Sequence, residues 1–227
     1  KAYLNQYFQG LEGGSNSRGE LYNADPLTGD ARFCGTTASM CGIEKAAAGQ
    51  DGEAMERAVR LDVTLHAYMF MQSGIPVLYS GDEVGQENDY RYKEDPDKAE
   101  DSRYIHRGAM DWKRVEQLGD KTSVPARIFD RLGQLEKIRK AEKVFAGRAD
   151  TRTIETFDPG VLCIGRACDG EKILGLFNFS EHDRIARIRE TDGIYRDLIS
   201  GEKRKAENVP VPAYSFLYLK REEESHL

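Results

Sequence analysis

The clearest periodicity in the chain runs over Glu53–Gln72. Met55, Val59, Val63 and Phe70 fall on one helical stripe, and Leu61, Leu65, Tyr68 and Met69 widen it. The spacing predicts a helix whose C-terminal half, apolar nearly all round, is buried. Gly74 ends it, and the pattern changes at once. Ile75-Pro76-Val77-Leu78-Tyr79 is a short continuous apolar run, read as a strand covered on both faces with Pro76 tolerated near its start. Helix, tight turn and buried strand make half of a βαβ unit. The run ends in Ser80-Gly81-Asp82-Glu83. In α/β proteins sites are built at that C-terminal strand edge, which makes Asp82 and Glu83 candidate rim residues. A second amphipathic helix is predicted over Pro125–Lys140, with Pro125 in its first turn and Ile128, Leu132, Leu135 and Ile138 facing a core. Thr36–Lys45 predicts a shorter one.

After Gly147 the period falls to two. Thr151–Phe157, Val161–Cys168, Lys172–Phe179, Arg184–Glu190, Tyr195–Ile199 and Tyr214–Leu219 read as strands. Asp169-Gly170 between two apolar runs is the strongest hairpin signal in the sequence. Two stretches carry no period: residues 1–35, rich in glycine with Ser15-Asn16-Ser17 and Asp25-Pro26 as turn formers, and the charged, Tyr-containing Asn88–Trp112. Unstructured connections of that length are uncommon in compact domains and are usually functional. The chain therefore divides into an α/β portion, residues 1–145, and a small antiparallel all-β domain, residues 146–227.

Composition narrows the function classes. Apolar residues make 39% of the 227, enough for a core, and 33 basic against 39 acidic residues leave a net charge of −6. That balance argues against a nucleic-acid partner. The longest apolar stretch, Ala67–Met71, is far short of the roughly 20 residues that cross a bilayer, so no membrane partner is expected. Cys34, Cys41, Cys163 and Cys168 match no zinc spacing and read as reduced, buried thiols, consistent with a cytoplasmic protein. His66, His106, His182 and His226 are scattered, and the acidic run Glu94-Asp95-Pro96-Asp97 with Glu100-Asp101 lacks the Gly and terminal Glu of an EF-hand loop. No metal and no cofactor is expected. The first residue is Lys1 rather than Met, and more chain is expected upstream.

Ordered blocks along the chain carry a resemblance. Gly74-Ile75-Pro76-Val77-Leu78-Tyr79-Ser80-Gly81-Asp82-Glu83-Val84-Gly85 resembles the eighth-strand motif of the α-amylase superfamily, glycoside hydrolase family thirteen. Three flanking blocks resemble its amylosucrase branch. They are Tyr3-Leu4-Asn5 with Arg18-Gly19, Pro26, Thr28-Gly29-Asp30, Arg32 and Gly35; then Asn88-Asp89-Tyr90 with Asp95-Pro96 and Lys98; and Asp101-Ser102-Arg103-Tyr104 with His106-Arg107 and Met110-Asp111-Trp112. The resemblance covers essentially the whole chain but only the last third or so of such an enzyme. It implies the C-terminal part of a (β/α)8 TIM barrel, from the loop after the seventh strand through the eighth helix, followed by the antiparallel β domain.

The resemblance also implies a retaining glucoside-active parent. Retention needs a nucleophile and an acid/base carboxyl roughly 5–5.5 Å apart across the sugar. In the family these follow the fourth and fifth strands, and a third carboxylate follows the seventh, so all three are expected upstream of Lys1. The chain itself would then hold no catalytic residue and be inactive alone. Two segments imitate the missing motifs: Arg60-Leu61-Asp62 with His66, mid-helix, and His182-Asp183, at a turn. Both read as structural.

For substrate contact the resemblance points to Arg103, which would wall off the glucose pocket by pairing with an upstream carboxylate, as a planar fork can do bidentately. It also points to Arg32, in acceptor binding. Tyr90, Tyr104 and His106 join Asp82 and Glu83 as rim candidates, since an aromatic face suits a pyranose's C–H surface. Asn16 stands where the branch has an aromatic residue, and Lys1 where it has an Arg. The expected partners are sucrose or an α-glucan and the N-terminal part of the barrel. The expected reaction is transfer of glucose from sucrose to an α-glucan or to water. The alternatives are a fragment of an α-amylase or α-glucosidase, and a non-catalytic carbohydrate-binding protein.

Overall fold

The computed structural model describes residues 1–188 and 193–222. The chain packs as two compact units, each built from two stretches: Lys1–Asp62 with Leu78–Phe129, and Val63–Val77 with Asp130–Leu227.

The first unit opens with helix α1 (Ala2–Phe8) and an antiparallel hairpin of β1 (Glu20–Tyr22) and β2 (Arg32–Cys34), paired Glu20↔Cys34, Leu21↔Phe33 and Tyr22↔Arg32. The expected loop over residues 1–35 is therefore corrected. Three-residue strands are too short to show a period, and what holds them is tertiary: the Phe8 and Phe33 rings lie 4.4 Å apart. Asp25 Oδ1 accepts from the Leu27 and Thr28 amides and shapes the connection. The single helix expected at Thr36–Lys45 is two, α2 (Thr37–Cys41) and α3 (Ile43–Gly49). Thr36 caps the first through its hydroxyl, which accepts from the Ser39 amide. Gly42, at φ +100°, ends it, and a Cβ there would sit 2.8 Å from Asn16 Cβ.

Helix α4 (Gly52–Met71) forms within a residue of its predicted ends, and the unit boundary falls inside it. Ala58, Val59, Val63, Ala67, Phe70 and Met71 are buried. Leu65 is exposed, which corrects the expectation of an all-round buried end: two residues beyond Val63, it lies on the opposite face. Asp62 and His66 are buried on this helix. The segment Ile75–Tyr79 is not a strand. Ile75 is 90% exposed, Val77 76% and Tyr79 50%, where a covered strand was expected. A parallel strand needs a hydrogen-bonded neighbour, and none is present among the described residues.

Beyond it, the charged loop is a chain of short turns, each started by an aspartate. Asp89 accepts from the Arg91 amide ahead of the 3-10 turn Tyr90–Glu94, and Asp101 from the Arg103 amide ahead of the 3-10 turn Ser102–His106. Asp111 does the same for Lys113 in α5 (Trp112–Glu116), a helix the sequence pattern did not reveal. Helix α6 (Val124–Ala141) then buries Ala126, Ile128, Leu132 and Leu135.

The second unit carries, besides the end of α4 and most of α6, the β domain. Its strands are β3 (Asp150–Ile154), β4 (Val161–Cys168), β5 (Glu171–Asn178), β6 (Arg184–Arg187), β7 (Ile194–Asp197), β8 (Lys203–Lys205), β9 (Asn208–Val211) and β10 (Ser215–Arg221). Six form an antiparallel sheet in the order β3-β4-β5-β10-β7-β8, and β6 pairs with β9. Asp169 and Gly170 both take positive φ, 51° and 83°, as a two-residue hairpin turn requires. The last two residues of the predicted strand Arg184–Glu190 lie outside the described residues, as does His226. Strands β8 and β9 were not predicted, being short and lysine- or proline-bearing. His182-Asp183 sits at a turn, where Asp183 accepts from the Ala213 amide. One face of the large sheet contributes Leu174, Leu176, Tyr195 and Leu219 to a core with Ala186, Val209 and Val211 of the small one. All four cysteines are buried and unpaired, and no helix among the described residues is long and apolar enough to cross a membrane.

Two arginines in this unit close the end of α4. Arg166, 1% exposed, donates to the carbonyls of Met71 (3.2 Å), Val144 (2.7 Å) and Ala146 (3.3 Å) and stacks 5.5 Å over Phe145. Arg139 donates to the carbonyls of Phe70, Gln72 and Gly74. Unpaired C-terminal carbonyls are thus met by cations, which also suit the negative end of the helix dipole. Replacing Arg166 with Met is expected to lower stability by about 2–4 kcal/mol, because it removes the donor from the buried Met71 and Val144 carbonyls, while that of Ala146 keeps the Ala149 amide. The shift in the urea midpoint measures it.

Candidate functional site

The candidate site lies in the first unit, and its loops are fastened by one amide side chain. Asn88 Oδ1 accepts from the Thr36 amide at 2.8 Å, and its Nδ2 donates to the Arg18 carbonyl at 2.8 Å and to the Tyr90 hydroxyl at 3.2 Å. Its own amide donates to Ser39 Oγ at 2.9 Å. Ser39 and Tyr90 both donate to the Glu44 carboxylate, at 2.6 and 2.8 Å. Three separate stretches, near residues 18, 36–44 and 88–90, are held by this network. Buried polar groups in a loop must find partners, and here the partners lie on different segments.

A second set of bonds brings the Asp101–His106 block to the hairpin. Ser102 Oγ donates to the Leu21 carbonyl at 2.9 Å. The Asp89 amide donates to the Ile105 carbonyl at 2.8 Å, a backbone pairing between the two capped turns. Tyr92, Ile105 and Cys34 are buried together at the join, with Tyr22 and Tyr104 packed against them. Tyr92 donates its hydroxyl to Glu20, whose other oxygen takes the Lys93 ammonium at 2.5 Å.

This places Arg103. Its Nε bonds Asp101 Oδ1 at 2.8 Å and its Nη2 bonds Asp101 Oδ2 at 2.6 Å, a bidentate fork closed within one turn. The guanidinium lies 4.4 Å over the ring of Tyr22. The hydrogen bond from Arg103 draws the Asp101 carboxyl down to about 2, so the pair stays charged across the working pH range. Nη1 of Arg103 makes no hydrogen bond among the described residues. Arg32 stands directly across the hairpin from Tyr22. Opposed residues of an antiparallel pair project from the same face, so Arg32 and Arg103 share the face of Tyr22. Of the two arginines expected to contact substrate, Arg103 lies on the Tyr22 ring and Arg32 pairs with Tyr22 in the hairpin register, so Tyr22, in a stretch without periodicity, is common to both.

The rim candidates divide. His106 packs edge-on against Tyr79 with ring centroids 5.7 Å apart, which sets it beside the end of the Ile75–Tyr79 segment. Its Nδ1 is buried with no hydrogen-bond partner among the described residues. Burial, reinforced by the Arg107 charge, lowers its pKa, and the ring is neutral at pH 7. Tyr104 is half-buried, with the Arg107 guanidinium 5.5 Å and the Lys98 ammonium 5.8 Å from its ring. Tyr90 belongs to the Asn88 network, where burial pushes its hydroxyl up to about 12. Asp82 and Glu83 lie in the 3-10 turn Asp82–Val84, and Glu83 turns back to accept from the Gly81 amide at 2.8 Å. Gln86 bridges this turn to the 109–111 stretch, donating to the Ala109 carbonyl at 3.2 Å and accepting from the Asp111 amide at 3.1 Å.

The arrangement is suited to holding a polar ligand. It offers a fixed cation over an aromatic ring and a second cation on the same face of the hairpin. Carboxylates around it are engaged: Asp89 with Arg91, Asp101 with Arg103 and Glu87 with Arg114.

No protein-family model matches the chain. It is 30% identical over 148 residues, 64% of its length, to glucosylglycerate phosphorylase of Escherichia coli (strain K12), and that stretch is 25% of the relative. The chain thus spans about a quarter of the curated relative it matches. Among solved structures it resembles AmyP in complex with maltotriose, with a TM-score of 0.61 and 16% identity over 74% of this chain and 36% of that one. It also resembles an Anoxybacillus α-amylase, with a TM-score of 0.58 and 16% identity over 82% and 36%. The fold is that of the C-terminal portion of an α-amylase. The expected fold class, barrel remainder followed by antiparallel β domain, holds.

The half-buried imidazole gives a pH dependence with a definite sign. An ordinary histidine titrates near 6.5, and His106 in the folded chain titrates lower. Its contribution to stability is complete above the ordinary value and is lost as pH falls through the folded one. Between about pH 7 and pH 5, His106→Gln is therefore expected to lose less stability than the parent chain, as read by urea unfolding at each pH.

Proposed function

We propose that this chain is the C-terminal portion of a retaining α-glucoside-active enzyme of the α-amylase superfamily. In this reading the Tyr22–Arg103–Arg32 face contributes to the wall of the glucose pocket. The observation that carries the reading is the Arg103 fork: pinned by Asp101 and laid on Tyr22, it presents a fixed planar cation with Nη1 left for another acceptor. Such a group suits an upstream carboxylate or a sugar hydroxyl at the closed end of a pocket. The exposed apolar run Ile75–Tyr79 supports it as well, since it has the composition of a central barrel strand.

The parent would form a glucosyl-enzyme on a carboxylate outside this chain and pass the glucose to an acceptor. In the amylosucrase-like form the donor is sucrose, fructose leaves, and the acceptor is an α-glucan hydroxyl or water. A second reading shares the first half of that reaction and differs in the acceptor. The similarity to glucosylglycerate phosphorylase favours inorganic phosphate, with a glucoside cleaved to a glucose phosphate. A pocket that excludes water is required for transfer to any other acceptor, because water competes for the same intermediate.

The chain alone is expected to release no fructose from sucrose. The longer enzyme should do so without phosphate if the first reading holds, and should turn over glucosylglycerate only with phosphate if the second does. Release of glucose or fructose by the 227-residue chain, surviving removal of contaminating enzyme, would overturn the reading. In the longer enzyme, Arg103→Lys keeps the charge but loses the fork, and kcat/KM is expected to fall about 100-fold, equivalent to roughly 2.7 kcal/mol. Unchanged kinetics would remove Arg103 from the pocket.

A further inference from the structure

The loop near residue 16, helix α3 and the start of α4 line an open cleft of about 540 Å³. Its lining carries three cations, Arg18, Lys45 and Arg57, against one carboxylate, Asp51. That excess stands out in a chain whose net charge is −6. Asp51 is held at the head of α4, where its Oδ1 accepts from the Ala54 amide at 2.9 Å, and its single negative charge leaves the lining net positive. Lys45 donates to the Ser15 carbonyl at 2.8 Å and Arg18 to the Ser17 carbonyl at 3.1 Å. Each bond uses one donor and fixes the side chain. The remaining donors of these two meet no carboxylate among the described residues. Among the described residues Arg57 pairs only with exposed Glu53, at 3.5 Å, and such surface pairs are weak.

The space is built into the fold. Ala46, Ala48 and Ala54 line it, and their short side chains leave it open. Gly42 closes one wall: its left-handed conformation and missing Cβ let Asn16 approach to where a Cβ would stand only 2.8 Å away. The volume falls within the roughly 300–1,000 Å³ of small-ligand sites and exceeds what a bare anion fills. No aromatic side chain lines it, so it offers nothing for a nucleobase to stack on.

We propose that this cleft binds a small phosphorylated polar molecule of sugar-phosphate size, its phosphate held by Arg18, Lys45 and Arg57. The site shares no lining residue with the Tyr22–Arg103 face and does not depend on the reaction proposed above.

Calorimetric titration of the 227-residue chain tests it, with glucose 6-phosphate as the probe and glucose, inorganic phosphate and adenosine monophosphate as comparisons. Glucose 6-phosphate should bind, glucose should not, and added salt should weaken the binding. Lys45→Gln and Arg57→Gln should each weaken it about tenfold or more. Arg57 is exposed on α4 and its replacement should leave the urea midpoint unchanged, so loss of binding there is separable from loss of fold. Absence of binding, or binding unaltered in both variants, would overturn the site. Equal affinity for inorganic phosphate or for adenosine monophosphate would overturn the assignment of a sugar phosphate.

Discussion

In the first unit one side-chain amide ties together segments far apart in sequence. Asn88 supplies an acceptor and a donor to backbone groups 52 and 70 residues away in sequence, at Thr36 and Arg18. Little regular structure competes for those groups, because the strands here are three residues long and the turns between residues 82 and 119 are single. In a helix or sheet the backbone would satisfy itself. In this unit side chains do it, so the position of each loop is set by identifiable polar contacts rather than by a ladder. Removal of the amide would leave a buried N–H and a carbonyl unpaired on two other segments, which costs more than the bonds themselves contribute.

The same dependence on side chains shapes the candidate site. Asp89, Asp101 and Asp111 each cap a turn with one oxygen, and the first two also hold an arginine two residues later. A sequence reading sees charge in this region and expects a solvated loop. The structure uses Asp89 and Asp101 twice each, once for backbone geometry and once for side-chain orientation. Arg103 gains from this because a long side chain that would otherwise sample many rotamers is fixed before any ligand arrives, and that entropy is not lost on binding.

What the sequence revealed follows the length scale of each element. The 20-residue α4 and 18-residue α6 show several turns of periodicity and were legible to within two residues. The pair β4–β5 was legible because Asp169-Gly170 suits positive φ at both positions, which few dipeptides tolerate. By contrast α1, α5, β1, β2, β8 and β9 have between three and seven residues, too few to show a period. Tyr22 was not singled out for that reason, while Arg103 and Arg32 became candidates through ordered motifs and not through any local pattern. The run Ile75–Tyr79 shows the opposite failure. Its composition is that of a buried strand, yet composition only states a preference, and strand structure is a property of a pair.

That segment also constrains how the chain behaves. Ile75, Val77 and Tyr79 expose apolar side chains along a backbone that has no ladder partner among the described residues. An unprotected apolar edge of this kind is a template for pairing, and proteins ordinarily blunt such edges with charge, proline or a covering element. Here only Pro76 lies within it, and one missing amide does not block the other positions. Neighbouring strands that supply hydrogen bonds and apolar cover on both faces would satisfy every group at once. The barrel reading supplies such neighbours, and so the segment that contradicts its predicted secondary structure is also the one whose chemistry argues most directly for the larger fold.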